Sequence, residues 1–137
     1  MKHLIEIAKK YAKPTVVSHY IESGYVAAAL ETENGEVYTG ISIDTACSLG
    51  FCAEHGAVAE LLKAGGSVVK AMVAVDSTGN VVPPCGRCRE LVSQLSNKNK
   101  QTRVAVDNDT EMTLEQLIPF DWKATQNRES GSDGTTK

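Results

Sequence analysis

Three of the four cysteines in this 137-residue chain lie in two short motifs, and these motifs limit what the chain can fold into. The first is Cys52-Ala53-Glu54, and the second is Pro84-Cys85-Gly86-Arg87-Cys88. Each stands at the start of a predicted helix, where unpaired N–H groups and the helix dipole favour a thiolate. Cys85 and Cys88 lie on one side of a first helical turn, so both can coordinate one metal ion. A fold that brings the two helix starts together forms a three-thiolate metal site.

Zinc is the ion that this ligand set favours, because thiolates bind it in tetrahedral geometry. Structural zinc usually has four protein ligands, whereas three ligands leave a position for water or substrate. Glu54 is too close to Cys52 to be an easy fourth ligand, but it can move protons beside the open position. Zinc also lowers the pKa of bound water toward neutrality. The alternatives are a structural zinc knot and a redox C-x-x-C motif, and the three-ligand count with an adjacent Glu favours a catalytic site.

Composition and charge exclude several classes of protein. With 42% hydrophobic and 23% charged residues, a chain of this length can bury a core without cross-links. The net charge of -3 and the lack of a basic cluster argue against a nucleic-acid partner. The longest uncharged apolar stretch, Tyr25 to Leu30, is too short to span a membrane, and the N-terminus does not resemble a signal peptide. We therefore expect a cytoplasmic protein with reduced thiols and no membrane partner.

Hydrophobic periodicity predicts an α/β fold. After an opening helix, stopped by Pro14, two antiparallel strands are joined at Asn34-Gly35, and strands then alternate with helices. This order implies a mixed sheet with helices on both faces. The predicted helices cover residues 4–12, 53–64 and 88–97, with a last helical turn from Thr113, and the predicted strands cover 25–31, 36–43, 67–76 and 103–106. We predict a single domain over residues 1–123 and a flexible polar tail over 124–137.

The two cysteine motifs and several flanking segments resemble the zinc-dependent cytidine deaminase family. C-A-E followed by P-C-x-x-C resembles its signature. Val26–Leu30 resembles its V-G-A-A-L strand, Thr39-Gly40 precedes its nucleoside-binding loop, and Leu117–Phe120 resembles its C-terminal element. Cysteine at position 52 is similar to the small free-nucleoside deaminases, whereas the branch that edits nucleic acids usually has histidine there.

The resemblance implies a three-layer α/β/α fold with a five-stranded mixed sheet, usually assembled as a homotetramer. It implies that Cys52, Cys85 and Cys88 bind Zn²⁺, and that Glu54 protonates the ring nitrogen and passes protons to the leaving ammonia. The implied reaction is hydrolytic deamination of cytidine or deoxycytidine, a step of pyrimidine salvage. The alternative from another class is a non-catalytic, zinc-stabilised binding module.

Substrate recognition departs from the family pattern. Where the family has G-x-N-x-E-N, this chain reads Gly40-Ile41-Ser42-Ile43-Asp44-Thr45. Ser42 and Asp44 keep polar and acidic character at the matching positions. The resemblance therefore implies that they bind the sugar, with Ala53 also in the substrate pocket.

A second resemblance is to blasticidin S deaminases, which perform the same reaction on a cytosine aminonucleoside. Pro84–Arg89 matches their segment, and Phe120-Asp121-Trp122 is similar to their aromatic C-terminus. Ordinary cytidine deaminases more often have an Arg where His55 stands, and that Arg offsets the negative charge of the zinc thiolates. The resemblance implies that Arg87 takes this role here.

Several side chains keep two interpretations. His55 is either a solvated helix residue or a partner of the zinc thiolates. Cys47 is either a small buried residue or loop thiol, or an alternative metal ligand. Phe120 and Trp122 are either packing residues or part of a substrate lid.

Overall fold

A computed structural model describes residues 1–126 of the chain as one mixed β-sheet with helices on both faces. This arrangement confirms the predicted three-layer α/β/α class. The strands are β1 (Thr15–Val16), β2 (Glu22–Glu31), β3 (Val37–Asp44), β4 (Ala71–Asp76), β5 (Arg103–Ala105) and β6 (Glu111–Thr113). The helices are α1 (Lys2–Lys9), α2 (Ala53–Lys63) and α3 (Gly86–Leu95). Short 3₁₀ turns cover Ala46–Ser48, Asn97–Gln101, Glu115–Leu117 and Trp122–Thr125.

The sheet is built around β2, which pairs antiparallel with β1, β3 and β4. β4 and β5 are parallel, and β5 and β6 are antiparallel, so the sheet is mixed as expected. The expected five strands correspond to β2 through β6, and β1 adds a sixth strand of two residues beside the start of β2. Periodicity missed β1 and β6 because two or three residues are too few to show a period.

Helices cover the sheet on both sides because alternate residues of its strands point to opposite faces. On one face, α1 packs Leu4, Ile5 and Ala8 against side chains that include Ala29 and Val73. On the other face, a second cluster joins α2 and α3 to the sheet through residues such as Leu30, Val58, Leu61, Met72 and Val92. The metal-ligand motifs belong to this second layer.

The turn between β2 and β3 and the end of α2 agree with their sequence signals. Gly35 in the β2–β3 turn has a φ of 85°, and Gly65 after α2 has a φ of 88°. These values lie in the left-handed region, which glycine adopts at little cost.

Two segments differ from the predictions. β4 begins at Ala71 rather than near Ser67, because the side chains of Asn99 and Thr102 bond the backbone of Val69 in place of a neighbouring strand. Thr113, the predicted helix start, also ends β6. Its capping box is present, since Thr113 and Gln116 exchange hydrogen bonds of 2.9 and 3.3 Å.

Close packing of α2 on β3 fixes the position of the first cysteine motif. A Cβ atom at Gly40 in β3 would lie 2.3 Å from the carbonyl oxygen of Ala53 and 2.5 Å from the backbone nitrogen of Ala57. Cβ atoms do not approach non-bonded backbone atoms this closely, so only glycine fits. The first turn of α2, which carries Glu54, therefore lies directly against the sheet.

The predicted domain boundary stays a prediction. The 3₁₀ turn Trp122–Thr125 runs across residue 123, and the rest of the predicted tail, from residue 127, lies outside the described residues. Within residues 1–126, the helices are too short or too polar to cross a lipid bilayer.

Candidate metal centre and adjoining cavity

The fold brings the three motif cysteines together. Cys52 directly precedes α2, and Cys85 directly precedes α3. The sulfur of Cys85 lies 3.5 Å from that of Cys52 and 3.6 Å from that of Cys88, and all three lie within 4.8 Å of one another. Zinc with Zn–S bonds of about 2.3 Å in tetrahedral geometry separates its sulfurs by about 3.8 Å. The three thiols therefore fit a zinc ion.

The electrostatics of the three thiols differ. Burial raises the pKa of the Cys88 thiol, and the neighbouring Glu54 carboxylate raises it further. Burial also raises the pKa of Cys52. At Cys85 burial acts in the same direction, but hydrogen bonds led by the backbone N–H of Cys88 outweigh it and lower the pKa. The expected helix-start effect thus prevails at Cys85, whereas a thiolate at Cys88 needs a cation beside it.

Glu54 is a buried carboxyl group beside the thiols. It lies in the first turn of α2, is only 3% exposed, and its Oε1 is 3.4 Å from the sulfur of Cys88. It also lines the cavity into which the cluster opens. A group that moves protons between water and a bound ligand needs this combination of burial and access to the ligand.

The cavity next to the thiols has a volume of about 500 Å³. Its wall includes the three predicted substrate residues, Ser42, Asp44 and Ala53. Ser42 is buried, and its Oγ accepts a hydrogen bond of 3.0 Å from the backbone N–H of Val26, which leaves the hydroxyl proton for another acceptor. Asp44 is exposed at the end of β3. The cavity has the size of a small-molecule site.

His55 and Arg87 both lie near the metal centre. Nδ1 of His55 is 3.8 Å from the sulfur of Cys88, and its ring stacks on Phe51 with 5.8 Å between centroids. Burial lowers the pKa of His55, and the nearby Arg87 guanidinium lowers it further. These contacts favour the interpretation of His55 as a partner of the thiols. Arg87 lines the cavity.

Other candidates lie away from this site. Cys47 is exposed in the turn Ala46–Ser48 and does not join the cluster. Phe120 is fully exposed, and Trp122 donates a hydrogen bond to Glu90. Both line a separate cavity of about 630 Å³ rather than the one beside the thiols.

Sequence reasoning missed Phe51, which lines the cavity beside the thiols. The one signal for it was its position directly before Cys52.

Comparison with known proteins agrees with this geometry. The family model for the cytidine and deoxycytidylate deaminase zinc-binding region matches residues 1–103, a range that contains both cysteine motifs. The chain belongs to this deaminase family. Zinc as the cofactor and the predicted resemblance are thereby confirmed.

Members of the deaminase family resemble the chain in sequence and in fold. A cytidine deaminase of Mycobacterium tuberculosis (strain CDC 1551 / Oshkosh) is 38% identical over 68 residues, 49% of this chain and 51% of the relative. The chain thus matches about half the length of that relative. A blasticidin-S deaminase of Bacillus cereus is 30% identical over 115 residues, 75% of this chain and 79% of the relative. The crystal structure of cytidine deaminase from Mycobacterium tuberculosis has a TM-score of 0.73 at 27% identity, covering 88% of this chain and 95% of that chain.

Proposed function

We propose that this protein hydrolyses the 4-amino group of a free cytosine nucleoside, giving uridine or deoxyuridine and ammonia. The observation that carries this proposal is Glu54, a carboxyl group 3% exposed that lines the cavity and lies 3.4 Å from a sulfur of the three-thiol cluster. Cys52, Cys85 and Cys88 would hold zinc, and three ligands leave its fourth position open. When bound, zinc supplies a Lewis acid that makes water nucleophilic near neutral pH.

Glu54 carries the proton transfers of this reaction. Its carboxylate takes one proton from the attacking water and delivers it to the ring nitrogen. It then takes the second proton from the hydroxyl group added to the ring and passes it to the amino group, which leaves as ammonia while the hydroxyl oxygen becomes the carbonyl of the product. Each transfer needs the same group within hydrogen-bonding reach of the ring. Burial keeps bulk water away from the carboxylate, so that these protons do not exchange with solvent.

The most direct test is an ultraviolet assay of the zinc-loaded protein on cytidine, deoxycytidine and blasticidin S in parallel. We expect conversion of cytidine or deoxycytidine, and a loss of about 10² to 10⁴ in turnover for Glu54→Gln at unchanged zinc content. If the zinc-loaded wild-type protein converts none of the three substrates, the proposal fails and the non-catalytic binding module becomes the better interpretation. Glu54→Gln with wild-type turnover would remove Glu54 from the mechanism.

Ser42, Asp44 and Ala53 form the proposed substrate wall, with Asp44 accepting a hydrogen bond from a sugar hydroxyl. A charge-assisted hydrogen bond is worth about 1.5 to 3 kcal/mol, so Asp44→Ala should lower kcat/KM on cytidine about 10- to 100-fold. Glu33→Ala, a change in the exposed β2–β3 turn, is the control and should have no effect. An unchanged value for Asp44→Ala would remove Asp44 from the substrate site.

A cytosine aminonucleoside is the second candidate substrate. The observation that favours it is the Bacillus cereus blasticidin-S deaminase, which matches 75% of this chain. The resemblance of the Pro84–Arg89 segment to such enzymes points the same way. Efficient turnover of blasticidin S with little turnover of cytidine would select this candidate over the first.

The protein is proposed to work as a homotetramer in the cytoplasm, in pyrimidine salvage. Large exposed apolar side chains, including Val16, Tyr20 and Leu49, supply surface for contacts between copies. Free thiols at the metal centre suit a reducing compartment. Light scattering after size-exclusion chromatography should give the tetramer mass, and a fully active monomer would contradict the assembly.

A further inference from the structure

Arg89 connects the second cysteine motif to the last part of the chain that the structure describes. The side chain is half-buried, and its Nε donates a hydrogen bond of 2.8 Å to the carbonyl oxygen of Pro84. Its Nη1 donates a second bond of 3.2 Å to the carbonyl oxygen of Leu117. One guanidinium therefore joins the residue before Cys85 to a segment that follows β6.

The bond to Pro84 restricts the ψ torsion of Pro84, the backbone torsion just before Cys85 that remains free to rotate. The proline ring fixes φ of Pro84, so the direction of its carbonyl group depends on ψ. Rotation about ψ tilts the peptide that leads into Cys85, and the Cys85 sulfur moves with it. Because Nε of Arg89 holds the Pro84 carbonyl, it also holds this peptide plane.

Glu90, the residue after Arg89 in α3, also binds the segment that contains Leu117. The carboxylate of Glu90 accepts hydrogen bonds of 3.0 Å from both Trp122 and Lys123. The segment 117–123, here called the C-terminal brace, is thus attached to α3 at Arg89 and at Glu90. Its residues do not line the cavity beside the thiols. The brace therefore acts on the ligand motif through α3, not through contact with substrate.

We propose that Arg89 is a positioning residue for the zinc ligand Cys85, anchored at its far end by the C-terminal brace. The planar guanidinium suits this task because it presents two N–H donors in fixed directions, which the single ammonium of lysine does not. The inference rests on the proposed zinc ligation by Cys52, Cys85 and Cys88, and it requires no particular substrate.

Two variants and a control test this role. Arg89→Met keeps the aliphatic stem, Arg89→Lys keeps the charge, and Arg103→Met removes an exposed arginine whose bond to Glu111 lies between β5 and β6. Zinc affinity is measured by competition with a chromophoric chelator, and ligand geometry by the absorption spectrum of the cobalt-loaded protein. Loss of a group that orients a ligand typically lowers metal affinity about 10- to 100-fold. We expect that loss and an altered cobalt spectrum for both Arg89 variants, with neither for Arg103→Met.

A purely structural role for Arg89 predicts a different result. It would lower the urea midpoint of unfolding while zinc affinity and the cobalt spectrum stay at wild-type values, and this outcome would overturn the proposal. Should Arg89→Met fail to fold, Arg89→Lys decides the question alone. A protein whose zinc affinity depends on Arg89, but which deaminates none of the nucleosides, would refute the proposed reaction and leave the role of Arg89 supported.

Discussion

We expect Glu54, a residue placed for chemistry, to lower the stability of the fold. A buried carboxylate next to a thiol cluster costs desolvation energy and repels the thiolates that bind metal. Glu54→Gln keeps the shape and removes the charge. The zinc-loaded variant should therefore be at least as stable as wild type in urea unfolding, by up to about 1 kcal/mol, although its turnover is much lower. Zinc loss or a clear drop in stability would show that Glu54 is a ligand or a structural group instead.

Asn99 is a buried polar residue that the fold depends on. Its Oδ1 accepts a bond of 2.8 Å from the N–H of Val69, and its Nδ2 donates to the carbonyl oxygens of Ser67 (3.0 Å) and Val92 (2.9 Å). Asn99→Ala leaves these buried backbone groups without partners, so it should cost about 3 kcal/mol or more in urea unfolding. Gln101→Ala, in the same turn but exposed, should change stability by less than about 0.5 kcal/mol. Similar values for the two variants would contradict this account.

At the scale of single residues, the sequence predicted the roles of residues that act within one short motif. It did not predict the roles that depend on contacts with distant parts of the chain. The ligand motifs are readable because each is held within one helix start, and the composition of three thiols with one carboxylate already suggests zinc chemistry. The roles of Asn99 and Arg89 depend on partners far away in the sequence. A single sequence carries no mark of such contacts, since an asparagine or arginine looks the same when it is solvated.

At the scale of elements, the contact between β3 and α2 is the most sensitive to added volume. The Cβ of Gly40→Ala meets backbone atoms of α2, which cannot rotate away, so we expect a loss of about 3 kcal/mol. Gly56→Ala on the facing helix is a graded control. Its Cβ would lie 3.3 Å from the Cα of Gly40, and the gain in helix propensity offsets the tight contact to within about 1 kcal/mol. Urea unfolding of both variants checks that Gly40→Ala is the more destabilising of the two. A larger loss for Gly56→Ala would contradict this account.

Element prediction succeeded where a pattern was long enough to repeat. α1, α2, β2 and β3 each run for eight residues or more, and their apolar periodicity is set by the face they bury. β1 and β6 are formed by pairing with a neighbour rather than by their own composition. The start of β4 at Ala71 also depends on contacts rather than on its own composition, because side chains from another turn form hydrogen bonds with the backbone of Val69.

At the scale of the whole molecule, the metal centre links the starts of α2 and α3, two helices that are separated in the chain by β4. An ion bound only by the folded state adds about 4 kcal/mol when its free concentration is roughly 1,000 times its dissociation constant. A chelator should therefore lower the melting temperature by roughly 10 °C or more, and added zinc should restore it. In Cys88→Ser the chelator should have little effect. Equal melting temperatures for the wild-type protein with and without chelator would mean that the thiols hold no ion.

Strand β2, which is paired on both sides, gives a way to measure far from the metal how strongly zinc binding stabilises the fold. Residues 27–31 pair with β3 on one side and β4 on the other, and Ala29 is fully buried beneath α1. Amide hydrogens in such a segment exchange with deuterium only when the whole molecule opens, whereas a three-residue edge strand such as β6 exchanges by local fraying. The exchange rate at Ala29, on the face of the sheet opposite the thiols, therefore reports how strongly zinc holds the entire fold closed.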